Sequence, residues 1–288
     1  MSFTVHSFGQ SPGATSADAV VAKPSGLAVG DTMIAHIATN AEGGTGDPPT
    51  GLTEPSGWTE INSSFGGTSI WCGWKIADSS DVAASDFTFT FTGHTATLYT
   101  KAAITRIFGG RETTIAYVEN EAGSTGTAVT VSTITPNVAD SLLLFLVSAE
   151  GSSAKTVSGY AIATSDPTWT EVYDLFYDGG AAGVGVALAY GERPETTATG
   201  DWTATISASS DWRAQVFAIE PQISASVSDS VNAAEAAALV GLGFNASESV
   251  SLTEVTATED KKLWVTIAYS TTPATAMAAQ IYQVRLRW

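Results

Sequence analysis

A single cysteine, Cys72, in 288 residues excludes an intrachain disulfide framework and a cysteine-based zinc site. It falls in Ser69-Ile70-Trp71-Cys72-Gly73-Trp74, a strand-like stretch where a thiol packs as a small hydrophobe. Charge is scarce too. Asp, Glu, Lys and Arg make up 14% of the chain, against about 25% in ordinary domains, and Thr, Ser, Ala and Gly fill the solvent positions instead. Cations are scarcest: 12 Lys and Arg face 29 Asp and Glu, for a net charge of −17. Residues 1–221 hold 8 basic and 23 acidic side chains, and residues 222–288 hold 4 and 6. This balance argues against nucleic acid as a partner, because phosphate contacts need clustered Lys and Arg. No apolar run approaches the roughly 18 residues that span a bilayer, so no membrane partner is expected. The start, Met1-Ser2-Phe3-Thr4-Val5, reads directly as a strand, without the basic and apolar regions of a secretory signal. Synthesis in the cytoplasm is the expectation.

What the chain does have is a repeat. Val20, Val21 and Pro24 lead to Asp31 and the run Met33-Ile34-Ala35-His36-Ile37. Pro55-Ser56-Gly57-Trp58-Thr59-Glu60-Ile61, Asp86-Phe87-Thr88-Phe89-Thr90-Phe91 and Ile104-Thr105-Arg106-Ile107-Phe108 follow. A second series keeps the order: Val129, Val131, Pro136, Asp140, Leu142-Leu143-Leu144-Phe145-Leu146, Pro167-Thr168-Trp169-Thr170-Glu171-Val172, Asp201-Trp202-Thr203-Ala204-Thr205-Ile206 and Val216-Phe217-Ala218-Ile219. Pro24 and Pro136 are 112 apart, Asp31 and Asp140 109, Trp58 and Trp169 111, Asp86 and Asp201 115. A period near 110 is the size of a small domain rather than of a solenoid repeat.

The pattern within each copy is that of strands. Phe87-Thr88-Phe89-Thr90-Phe91 alternates Phe inward with Thr outward, as a half-buried antiparallel strand does. The runs around Ile34 and Leu143 are continuously apolar, as expected for strands covered on both faces. Gly, Pro, Asp and Ser clusters such as Gly66-Gly67 and Asp178-Gly179-Gly180 break the chain into turns. Short strands with such breakers predict an all-β fold of two tandem jelly-roll-like or Greek-key sandwiches, residues 1–111 and 112–221. The sequence leaves open whether the copies form separate sandwiches or share sheets.

Residues 222–288 change character and are expected to be a smaller, mostly β segment. Ala233-Ala234-Glu235-Ala236-Ala237-Ala238-Leu239-Val240 before Gly241 reads as one short helix, or as an Ala-rich strand. Lys262–Tyr269 and Ala279–Trp288 alternate as strands. In the last of these, Tyr282, Val284, Leu286 and Trp288 share one face and Arg285 and Arg287 the other. An apolar terminus with an open edge is usually tied down, so this segment is expected to mediate self-association, a trimer being favoured, or docking.

Little of the sequence speaks of chemistry. His6, His36 and His94 share no ligand spacing, and His36, inside an apolar strand, reads as a satisfied core residue. No nucleophile elbow, phosphate loop or zinc-protease signature is present, and no carboxylate pair stands out as a glycosidase couple. The expectation is therefore no catalytic residue, no metal site and no cofactor. Oxygen ligands around Glu42 and Asp47, or Asp174 and Asp178, lack any known calcium-loop pattern. Trp58 and Trp169 have two readings. A Trp beside a turn can stack on a sugar ring, or it can cap a sandwich core and fix the register of its strand. The second reading suits two matching positions better.

The order Leu27-Ala28-Val29-Gly30-Asp31, Pro55-Ser56-Gly57-Trp58-Thr59-Glu60-Ile61, Trp74-Lys75-Ile76-Ala77-Asp78 and Asp86-Phe87-Thr88-Phe89 resembles uncharacterised β-rich structural proteins of tailed bacteriophages and prophages. The resemblance spans residues 1–221. The second copy departs from it, reading Leu188-Ala189-Tyr190-Gly191-Glu192 where the first has Trp74-Lys75-Ile76-Ala77. It implies a non-catalytic component of the virion surface, a capsid decoration protein or a fibre-like appendage, made in the host cytoplasm. Its partners would be copies of itself and other virion proteins. The alternative is a carbohydrate-binding module or adhesin, with aromatic residues at the sandwich loops meeting a host-surface glycan.

Overall fold

The two continuously apolar runs become the two most deeply buried strands, and the rest of the fold is arranged around them. The structure, a computed structural model, describes residues 4–41, 46–108, 117–164, 167–180, 182–220, 250–257, 263–269 and 281–284. The chain divides into two compact units, residues 1–223 and 224–288.

In the first unit, the first series of landmarks forms β1 (Thr4–Gln10), β2 (Ala14–Thr15), β3 (Asp18–Ala22), β4 (Thr32–Ala41), β5 (Gly51–Thr53), β6 (Thr59–Ser64), β7 (Thr68–Ile76), a single-turn helix α1 (Ser79–Ala83), β8 (Asp86–Thr92) and β9 (Leu98–Phe108). The second series forms β10 (Tyr117–Val131), β11 (Ser141–Glu150), β12 (Val157–Ile162), β13 (Thr170–Asp178), β14 (Gly183–Arg193) and β15 (Trp202–Ile219). All pairings are antiparallel.

One large sheet has the order β1-β9-β4-β7-β6 and the other β10-β15-β11-β14-β13, which is the same order strand for strand. A small sheet, β3-β8-β5, accompanies the first. In the second half β10 and β15 are long enough to supply both layers. The ends of these strands, Ala128–Val131 against Trp202–Thr205, pair with each other beyond a register shift at Gly126, and β12 adds to β15 there. Bulges of this kind bend a strand and let one sheet fold over its own core.

Strand pairing also fixes which residues correspond. Thr32 and Leu142 face Ile107 and Ile219, and Ile34 and Leu144 face Trp74 and Tyr190. The offset along this strand is therefore 110, not the 109 that matches Asp31 to Asp140. Because a strand has period two, that single residue exchanges inner for outer face. Asp140, at φ 59°, instead holds the left-handed position of Gly30, at φ 91°. The true counterpart of Asp31 is Ser141. Asp31 Oδ2 accepts from the Ala28 N–H at 2.7 Å, and Ser141 Oγ donates to the Val138 carbonyl at 2.6 Å. Each side chain closes the same turn, by opposite bonds.

With the register set, the burial of both apolar runs is explained. Met33, Ala35 and Ile37 face an outer core with Phe87, Phe89 and Phe91. Leu143, Phe145 and Val147 face the other outer core with Val131, Trp202 and Ile206. The opposite faces meet: Ile34 and Ala38 share a third core with Leu142, Leu144 and Leu146, joined by Cys72, Ile107, Val186, Leu188 and Phe217. The two halves have separate sheets but one common core, packed face to face. Each half alone would expose the inner face of its large sheet.

Helix α1 sits where the second half has none. Asp78 caps it, accepting from the Ser80 and Asp81 N–H groups, while Asp81 returns a bond to the Asp78 N–H. That reciprocal arrangement is a capping box built from two aspartates.

The second unit contains a three-stranded antiparallel sheet, β16 (Val250–Ala257), β17 (Leu263–Tyr269) and β18 (Ile281–Val284), in that order. Strands expected from Lys262 and within Ala279–Trp288 match β17 and β18; β16 was not foreseen. The helix expected over Ala233–Val240 lies outside the described residues.

Candidate functional site

The cores absorb most of the residues that the sequence marks. Trp58 is 6% exposed and packs edge-on against Phe87 and Phe89, with ring centroids at 6.0 and 5.3 Å. Trp169 is half-buried against Phe145, Tyr160 and Trp202. Both tryptophans brace an outer core at the start of their strand. Tyr282 and Val284 lie in β18, opposite Val265 and Leu263. Arg285, Leu286, Arg287 and Trp288 lie outside the described residues, as does Glu42.

Among the described residues no group of three or more His, Cys, Asp or Glu side chains is placed to hold a metal ion. Asp174 Oδ2 accepts from the Val157 N–H and Asp178 Oδ1 from the Gly180 N–H, which makes both turn and strand locks.

Buried charges likewise hold the frame together. Lys75 Nζ lies 2.7 Å from Asp81 Oδ1 and donates to the Ser56 carbonyl, pinning α1 to the turn before Trp58. Arg106 Nε reaches Asp31 Oδ2 at 2.6 Å. Arg193, 1% exposed, donates to Thr197 and the Ala198 carbonyl, holding the loop that replaces α1 in the second half.

Polar ties also cross the common core. His36 Nε2 is 2.9 Å from Ser148 Oγ, and His36 Nδ1 is 3.5 Å from the Tyr173 hydroxyl. Burial pushes the His36 imidazole down to about 3, so it stays neutral, with one nitrogen donating and the other accepting. The linkage has a definite sign. The unfolded chain binds this proton near pH 6.5 and the folded chain only near 3, so the stability is intact above 6.5 and falls as the pH drops toward 3. At pH 4.5 we expect a loss of ~2–3 kcal/mol from His36. Glu150 and Asp174, raised first of all by desolvation, act in the opposite direction over the acid range. The check is therefore a difference: urea unfolding of the native protein and of His36→Gln at pH 7 and 4.5. Equal acid sensitivity in the two would refute the assignment.

One cleft remains. It has a volume of about 380 Å³ and lies at one rim of the common core, between Val5–Phe8 of β1 and Thr170–Val172 of β13, with Tyr190 of β14 at its side. β1 and β13 are end strands of the two large sheets. The Phe8 ring, 5.1 Å from that of Tyr173, is held from behind. His6 and Glu171 are exposed. Sequence reasoning missed this place, although it had singled out Thr170-Glu171-Val172 as part of a repeated landmark.

The chain matches no family model, no curated protein and no solved structure.

Proposed function

We propose that this protein is a non-catalytic structural component of the exterior of a tailed-phage virion, a capsid decoration protein or fibre-like appendage. One observation carries the reading. The buried charged and imidazole groups Asp31, His36, Lys75, Asp81, Lys101, Arg193 and Glu220 end on turns, strand ends or the facing sheet. These groups are used to make a rigid frame, which is what a particle surface requires. The resemblance of residues 1–221 to phage structural proteins supplies the setting. The carbohydrate-binding alternative, placed on the tryptophan landmarks, has less support, because Trp58 and Trp169 spend their rings on core packing.

Within this reading residues 222–288 join the protein to itself, a trimer being favoured, or to its particle. The strand order β16-β17-β18 leaves β18 at a sheet edge among the described residues, and an open edge is a template for another chain. The full chain and one ending at Pro221 are to be compared for binding to stripped particles, with labelled antibody locating the protein by negative-stain microscopy. Docking by the full chain, with at least tenfold weaker docking by the shortened one, is expected. Absence from particles that carry all their other structural proteins would overturn the reading.

A further inference from the structure

The two halves meet as a symmetric dimer would. Strand pairing makes Phe8 the counterpart of Glu119, since they face Thr105 and Phe217, and Tyr173 the counterpart of Asn62, since they face Leu188 and Cys72. Across the common core Phe8 packs on Tyr173, and Asn62 Nδ2 donates to Glu119 Oε2 at 2.6 Å. The same pair of positions thus touches at both rims with the halves exchanged. Asn40 and Glu150 also correspond, and they bond Gly183 and Thr68 respectively. That is an isologous interface, in which residue i meets j and j meets i.

Against this symmetry the cleft rim differs at several positions, and three of the differences make room. Val5 stands where the other rim has Tyr117, the two facing Ile107 and Ile219. Tyr190 stands where the other has Trp74. His6 has no counterpart: the register jumps from Val5 to Ser7 in β1, whereas Tyr117 and Val118 pair in sequence. It is an inserted, bulged residue, and bulges at sheet edges re-aim a side chain. Two substitutions by smaller side chains and one insertion converge on one cleft. Val5 and Tyr190 pack on the common core just as the larger Tyr117 and Trp74 do at the other rim, but they leave room for the cleft.

We propose that this cleft is a binding site for a neutral saccharide unit. Its volume of about 380 Å³ is at the small end for ligand sites. The Phe8 and Tyr190 rings and Val5 offer apolar surface to the C–H face of a sugar. The Glu171 carboxylate accepts from hydroxyls, and Ser7 and Tyr190 can donate or accept. The chain's charge of −17 disfavours an anionic ligand. The inference is independent of the particle reading, because the cleft belongs to residues 1–223 and its binding is measured on the free protein.

The test uses the full-length protein and the methyl glycosides of glucose, galactose, mannose and N-acetylglucosamine, each titrated to tens of millimolar in saturation-transfer NMR. At least one is expected to bind, with saturation transfer reduced at least tenfold in Val5→Tyr/Tyr190→Trp. That variant moves both positions toward the other rim, filling the cleft with side chains this fold already carries there. Glu171→Gln, at an exposed position, is a second variant that keeps the fold, and a loss of at least fivefold is expected. Binding by none of the four glycosides, or equal binding by the filled variant with an unchanged melting temperature, would overturn the proposal.

Discussion

Residues 1–111 and 112–221, produced separately, are expected to be poorly folded or self-associating, and to form a one-to-one complex when produced together. The second half alone contributes Leu142, Leu144, Leu146, Val184, Val186, Leu188, Phe217 and Ile219 to the common core. At 1.5–3 kcal/mol for each fully buried large side chain, these eight are worth roughly 12–24 kcal/mol as an upper bound. Whole domains have a net stability of only about 5–15 kcal/mol. A half that exposes this face loses its margin even if much of the burial survives within its own sheet. Because the interface has isologous geometry, a lone half is expected to pair with itself, so sedimentation velocity must accompany thermal unfolding. Two monomeric halves, each melting within a few degrees of the full chain, would overturn the common-core argument.

The second large effect lies in an outer core. Phe145, fully buried, touches Tyr160, Trp169 and Trp202 at centroid distances of 5.5, 6.4 and 5.6 Å. Phe145→Ala is expected to cost ~3–5 kcal/mol, read as a fall in urea midpoint. Yet alanine already occupies the corresponding place in the first half, as Ala35. There the space is filled from the neighbouring strand by Trp71, whose counterpart is Ala187, and Trp71 packs on Phe89 with centroids at 5.5 Å. The Trp71 ring also lies over Gly73, where a Cβ would meet it at 2.1 Å, and the second half has Ala189 at that position. Volume is conserved across two strands rather than at each residue. The triple variant Phe145→Ala/Ala187→Trp/Ala189→Gly should therefore recover more than half of the loss, whereas Ala187→Trp alone overpacks. A triple variant no more stable than Phe145→Ala would refute this exchange.

Much of the all-β fold was legible, for reasons specific to particular residues. Phe87, Phe89 and Phe91 alternate with threonines, which leaves no choice of face, and β8 follows. The continuous runs at Ile34 and Leu143 announced strands covered twice. They could not say what covered them, since a second sheet of the same half and a sheet of the other half are equally apolar. The same uniformity hides the register: Leu142-Leu143-Leu144 has no polar residue to choose a face, so the sequence alone aligns Asp140 with Asp31 and not with Gly30. Asp78 and Asp81 spell a helix cap, but one helical turn is hidden by the strongly β sequence around it. The cleft was hidden more deeply. His6 is an insertion only relative to a pairing, and Val5 is small only relative to Tyr117 in a position that the sequence does not align.

Covalent linkage of two like halves has a consequence that an ordinary symmetric pair cannot share. In a homodimer every substitution is written at both ends of the interface, so a pocket opened at one rim opens at the other and weakens the assembly twice. Here each rim has its own codons. Glu119 and Asn62 close one with a hydrogen bond while Val5, the inserted His6 and Tyr190 open the other. The common core and the Phe8–Tyr173 contact still join the halves at the open rim, so a pocket there is not repeated as a second loss at the opposite one.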